Sequence, residues 1–174
     1  MATNNVLFVI AGVDYQAVEY SVPKKLLEQA GFVVTTASDI PEIAAANDSS
    51  ITPVDVLLTD VNPADYDGIF FIGGPGALEH LDNEISYRII TAAVQARKLV
   101  GAICIATRIL ARAGVLKGKR ATGFNGDNAL PALYKEFEVQ YSPNDVVVDE
   151  HIITATGPNA AREFGEQIIA LLQE

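Results

Sequence analysis

The sequence predicts an α/β domain built on a largely parallel sheet, and three observations carry that reading. Short apolar runs bounded by turn residues alternate along the chain with segments of helical periodicity. The length, 174 residues, is that of one domain spanning 1–174. Hydrophobic residues make up 49% and charged residues 20%, which is enough apolar material for a sizeable core and too little charge for a disordered chain.

The elements follow in order. Residues 6–11 are an unbroken apolar run that stops at Gly12, the pattern of a buried first strand. Residues 22–30 read as a helix closed by Gly31, and 32–37 as a second strand. A polar stretch over 39–52 leads to a third strand at 55–59, and a fourth at 68–72 runs into Gly73-Gly74-Pro75-Gly76. A helix over 86–97 precedes a fifth strand at 99–103. Residues 105–113 then return to helical periodicity and end at Gly114. The last third reads as a short strand at 120–122, a Gly/Asn-rich loop, a helix at 129–136, strands at 138–141, 146–148 and 152–156, and a final helix at 160–172.

Composition excludes several functions. Acids outnumber bases 22 to 12, giving a net charge of −10 with no run of Lys or Arg, so a nucleic-acid or anionic-membrane partner is not expected. The run at 6–11 is far too short to span a bilayer and lacks a basic flank, so a cytoplasmic protein is expected. The single cysteine rules out an intrachain disulfide and a multi-Cys metal or cluster site, and no metal or cofactor is expected.

That thiol, Cys104, lies in Ala102-Ile103-Cys104-Ile105, where a buried strand gives way directly to a helix. A residue on such a turn projects from the carboxyl edge of the sheet beside a helix N-terminus, which is the nucleophile elbow. There the amide of Ile105 points toward an anion developing at the sulfur. The alternative is an ordinary buried cysteine. Glu19 is the second candidate: positions +3, +4, +7, +8 and +11 from it are Val22, Pro23, Leu26, Leu27 and Ala30, so a helix extending back that far sets the carboxylate on the core-facing stripe. Either it occupies that stripe, with a perturbed pKa, or it is a solvated acid in a lead-in kinked by Pro23. The third is the glycine turn, in which Gly73 and Gly74 let backbone amides approach an anion, although a Gly-Pro-Gly turn without function is common. Glu19, Gly74 and Cys104 all follow carboxyl ends of expected strands, where α/β sheets bind ligands.

These residues, with Gln29-Ala30-Gly31-Phe32, Asp65-Tyr66-Asp67-Gly68, Gly114-Val115-Leu116-Lys117-Gly118 and Ile152-Ile153-Thr154 followed by Gly157-Pro158, resemble the ThiJ/PfpI superfamily over nearly the whole chain. The resemblance implies a flavodoxin-like three-layer sandwich of the class I glutamine amidotransferase type, with helices on both faces of a mostly parallel sheet, usually as a homodimer or larger homo-oligomer. It makes Cys104 the reactive cysteine, Glu19 the acid hydrogen-bonded to it, and Gly74 and Ile105 the anion-binding amides. Gly73, Asp14, Tyr15 and Phe124 are the further pocket candidates, with Tyr15 open to a reading as packing; Glu19 itself, Asp14 or a residue across a dimer interface could act as general base. A protonated Glu19 donating to sulfur would lower the Cys104 pKa below that of a free thiol.

Two departures limit the chemistry. Peptidase-like members carry a His after the cysteine, where this chain has Ile105; deglycase-like members carry one where it has Phe124. Of the two histidines, His80 reads as a helix-start surface residue and His151 as exposed in a turn. Arg108 and Arg112 read as a solvated face, Tyr20 as packing, and 125–128 as a turn-rich loop. The expected activity is cysteine-dependent chemistry on small reactive electrophiles such as 2-oxoaldehydes, as in glyoxalase or deglycase members. The alternatives are a non-enzymatic redox or stress sensor or chaperone, responding to an oxidant, and a PfpI-type peptidase or amidase.

Overall fold

The computed structural model describes residues 4–174. The chain runs in order through β1 (Asn5–Ile10), β2 (Val13–Tyr15), α1 (Ala17–Gln29), β3 (Val33–Ser38), β4 (Ile43–Ala46), β5 (Ile51–Pro53), β6 (Val56–Leu57), β7 (Gly68–Phe71), α2 (Ala77–Leu81) and α3 (Glu84–Gln95). It continues with β8 (Leu99–Ile103), α4 (Thr107–Arg112), β9 (Arg120–Ala121), α5 (Leu130–Glu136), β10 (Gln140–Tyr141), β11 (Val146–Asp149), β12 (Ile152–Ala155) and α6 (Ala161–Leu172). The central seven-stranded sheet has the order β11-β12-β8-β7-β1-β3-β6. Every neighbouring pair is parallel except β11 with β12.

Side-chain alternation explains the layers. Phe8 and Phe70 are register partners and meet edge to face at 5.9 Å. Phe8 also meets Tyr20 of α1, and Phe70 meets Phe164 of α6, at 6.1 and 6.0 Å. One face of the sheet is thereby sealed by the α1–α6 pair. The intervening residues Leu7, Ile69 and Phe71 are fully buried, and α3 and α4 pack against β8 as the other layer. This is the expected mostly parallel flavodoxin-like sandwich.

Four local expectations are corrected. Helix α1 begins at Ala17, capped by the side chain of Gln16, so Glu19 is in its first turn and Pro23 lies inside it. At Pro23 helix α6 presents Gly165, and the two helices approach so closely that a Cβ there would stand 3.0 Å from the Pro23 Cα. The polar stretch 39–52 holds β4 and most of β5, which with β2 form a separate three-stranded sheet. The expected strand at 55–59 keeps only Val56–Leu57 before turning into a 3-10 helix at Leu58–Asp60. Short α2 was not expected, and it carries His80 at its end, half-buried and 2.5 Å from Asp39 rather than on a helix start at the surface.

Candidate active site

The site is assembled at the carboxyl ends of β1, β7 and β8. Strand β8 ends at Ile103, and Cys104–Ala106 forms a 3-10 turn before α4. Cys104 has φ +62°, a left-handed conformation costing a non-glycine residue roughly 1–3 kcal/mol. Its carbonyl is held by Thr107 Oγ1 at 3.0 Å and by the Phe124 amide at 3.2 Å, so the elbow is tied to both the following helix and the loop after β9. The thiol is half-buried, and the Ile105 and Gly74 amides donate toward its sulfur.

The loop after β7 must be glycine. A Cβ on Gly73 would stand 2.7 Å from both the Cys104 Cβ and Glu19 Oε2, and Gly74 has φ +121° with its Cβ position 2.4 Å from the Gln16 nitrogen. The strands therefore bring α1, the glycine loop and the elbow closer than any side chain allows. Gly73 donates its amide to Glu19 Oε2 at 2.9 Å.

Glu19 is 0% exposed, its Oε1 has no hydrogen-bond partner among the described residues, and the Cys104 thiol lies within hydrogen-bonding reach of the carboxyl group. Burial pushes the carboxyl up to about 7, against hydrogen bonds from Cys104 and Gly73 that pull it down. The thiol does not show the depressed pKa that the sequence suggests. Burial first, and then an ionised Glu19 through both its charge and the hydrogen bond it accepts from the thiol, push it up to about 12, while the Ile105 and Gly74 amides pull it down. Those two upward causes differ in kind. Burial acts always, but the repulsion, and the hydrogen bond the thiol gives to the carboxylate, vanish when Glu19 holds its proton, so the titrations of acid and thiol are coupled, with Glu19 ionising first.

A cavity of about 310 Å³ opens over the sulfur, lined by Gln16, Glu19, Asn47, Gly74, Pro75, Cys104, Ile105, Phe124 and Pro158. Glu19, Gly74, Cys104, Ile105 and Phe124 are thus brought together as the sequence suggests, with Gly73 behind them. Asp14 and Tyr15 are not. Asp14 is exposed outside the cavity and contributes its carbonyl to the Gly76 amide, while Tyr15 turns inward, 1% exposed, with its hydroxyl on Thr52 at 2.7 Å. Arg108 is a further correction: it is 5% exposed and donates to the Phe124 carbonyl and to Asp127, whereas Arg112 is partly exposed and pairs with Asp82. His151 is exposed. Gln16 and Asn47 were missed, since only the small second sheet brings Asn47 beside the start of α1. Among the described residues, no three His, Cys, Asp or Glu side chains gather as a metal-ligand set.

Fold and site define a class of α/β proteins with a cysteine on a strained strand-to-helix elbow, backed by a buried carboxyl group. The DJ-1/PfpI family profile matches residues 4–171, and the chain belongs to that family. It is 35% identical over 176 residues to an uncharacterised protein of Methanocaldococcus jannaschii, covering 100% of this chain and 85% of that one. It is 26% identical over 173 residues to a glutathione-independent glyoxalase of Caenorhabditis elegans, covering 99% and 90%. Among solved structures, a ThiJ/PfpI domain protein of Brachyspira murdochii superposes with TM-score 0.93 at 26% identity, over 99% of this chain and 98% of that one. Drosophila melanogaster DJ-1beta gives 0.87 at 26%, over 99% and 91%.

Proposed function

We propose that the protein is a cysteine-dependent enzyme for small 2-oxoaldehydes. The observation that carries this reading is the buried Glu19 carboxyl beside a thiol that also faces two backbone amides in an open cavity. When Glu19 holds the proton, the sulfur is the anion and the two amides stabilise it. Addition forms a bond from sulfur to the aldehyde carbon as the carbonyl π pair moves to oxygen, where the Gly74 and Ile105 amides receive the charge and Glu19 supplies the proton. Glu19, now a carboxylate, takes the proton from the former aldehyde carbon and delivers it to the neighbouring carbonyl oxygen, giving an enediol, and then carries the proton of the first carbon's hydroxyl to the second carbon. The first carbon becomes a thioester and the second an alcohol, so no outside oxidant or reductant is used. Water cleaves the thioester, releasing a 2-hydroxy acid and restoring the thiol. The relative named as a glyoxalase supports this direction. Loss of methylglyoxal should fall at least a hundredfold in Cys104→Ser, an order set by removal of a covalent nucleophile. Equal rates in the two proteins would contradict the proposal.

A second reading rests on the same amides. Thiolate attack on a peroxide adds one oxygen to sulfur and releases water, and a further equivalent gives a sulfinate that the amides and a protonated Glu19 would hold. Stepwise oxygen gain in intact mass, absent in Cys104→Ala, supports that role. A free thiol of either kind needs a reducing compartment, consistent with a cytoplasmic location. No helix among the described residues is long and apolar enough to cross a membrane. We also propose a homodimer, supported by the exposed Val13, Val18, Ile43 and Ile51 on and beside the small sheet.

A further inference from the structure

Two side chains of the cavity have hydrogen-bonding capacity that the chemistry above does not use. Gln16 Oε1 accepts from the Val18 amide at 3.0 Å, and Asn47 Oδ1 accepts from the Ala17 amide at 3.1 Å. Both carbonyl oxygens are therefore committed to the first turn of α1, and these bonds fix which end of each amide is which. What each residue has left for a ligand is its NH2 group, a donor only, and neither group has a partner among the described residues. Apart from Glu19 and Cys104, which that chemistry already uses, the rest of the lining offers no side-chain donor. Pro75, Ile105, Phe124 and Pro158 are apolar, and the ionisable members are the acids Glu19 and Cys104.

We infer that Gln16 and Asn47 are specificity-determining residues that bind the second oxygen of a neutral 2-oxoaldehyde, the apolar remainder of which packs on Phe124, Ile105 and the two prolines. This rests on the aldehyde reading of the site and names the substrate feature that reading leaves open. An aldehyde without an adjacent oxygen leaves both donors unpaired. A carboxylate in that place meets a cavity whose lining carries no cation and two acids, which disfavours it.

The variants Gln16→Glu and Asn47→Asp test this, because each keeps an oxygen for the Val18 or Ala17 amide, puts a carboxylate where a helix N-terminus favours one, and deletes the NH2. The readout is protection of Cys104 from alkylation by iodoacetamide, in short pulses with methylglyoxal, propanal or glyoxylate. Any effect of the added charge on the thiol is common to the two neutral aldehydes and cancels in the ratio of their half-protecting concentrations. That ratio should favour methylglyoxal in the wild type and shrink roughly tenfold in the double variant, the order expected for two neutral hydrogen bonds. Glyoxylate should protect the wild type least. If both neutral aldehydes protect and their ratio is the same in wild type and variant, or if glyoxylate protects as well as methylglyoxal, the assignment of Gln16 and Asn47 is overturned while the aldehyde reading stands. If no aldehyde protects Cys104, the aldehyde reading itself fails and takes the assignment with it.

Discussion

At the scale of single residues, the chemistry depends on where one proton sits. Glu19 is buried without a cation beside it, so its folded pKa, about 7, lies above its ordinary 4.5. The folded state binds that proton more tightly than the unfolded chain does. Its stabilising contribution is therefore full below about pH 4.5 and is lost as pH rises through about 7. Relative to Glu19→Gln, which cannot ionise, the wild type should lose about 3 kcal/mol of unfolding free energy across that window, read from urea melts at several pH values. A constant difference between the two proteins would place the carboxyl in water rather than in the core. Gly74 is the other residue whose identity is forced. A Gly74→Ala chain must move its loop away from Gln16, so it should lose about 2 kcal/mol of stability and at least tenfold of methylglyoxal turnover as the amide leaves the sulfur.

At the scale of elements, the loop after β9 is held over the cavity by Arg108, whose guanidinium reaches both the Phe124 carbonyl and Asp127. Arg108→Met should cost about 1–2 kcal/mol and speed the alkylation of Cys104 as Phe124 loosens, checked by thermal melting and by iodoacetamide kinetics. Sequence periodicity alone puts Arg108 and Arg112 on one solvated face, because it cannot see that the loop at 124–128 folds back over α4. The start of α1 was hidden for a related reason. Pro23 argues for a helix beginning near it, whereas the helix starts six residues earlier at Ala17, capped by the Gln16 side chain, and buries Glu19. Strands β1, β7 and β8 were legible because each is an apolar run buried on both faces, and the elbow and the glycine loop were legible because they follow directly from such strands. Strands β4 and β5 were not: they are four and three residues long, partly exposed and set in a polar stretch, so neither length nor alternation marks them. With them the sequence concealed Asn47, which reaches the cavity only because that small sheet returns the chain to Tyr15, whose carbonyl accepts the Asn47 amide at 2.8 Å.

At the scale of the whole molecule, an acidic chain of net charge −10 leaves Val13, Val18, Ile43 and Ile51 between 43% and 65% exposed on one region, beside the residues that rim the cavity. Light scattering should report twice the chain mass, and Ile51→Glu should halve it. A monomeric wild type would remove the dimer from the account without touching the site. The family resemblance supplies roles for Cys104 and Glu19 that periodicity leaves open, and the structure adds what neither could give, namely that thiol and carboxyl are both buried enough to compete for a single charge. That competition is the centre of the account, and the rate of Cys104 alkylation against pH tests it most directly. If the pair ionises with the charge available to sulfur, the rate rises in a first step near pH 7, below the ordinary thiol value of about 8.5, and that step is lost in Glu19→Ala. If the charge stays on Glu19, the wild-type rate stays flat until far above that value, toward the value of about 12 to which burial and an ionised Glu19 push the thiol, and the reactive-thiolate mechanism is contradicted.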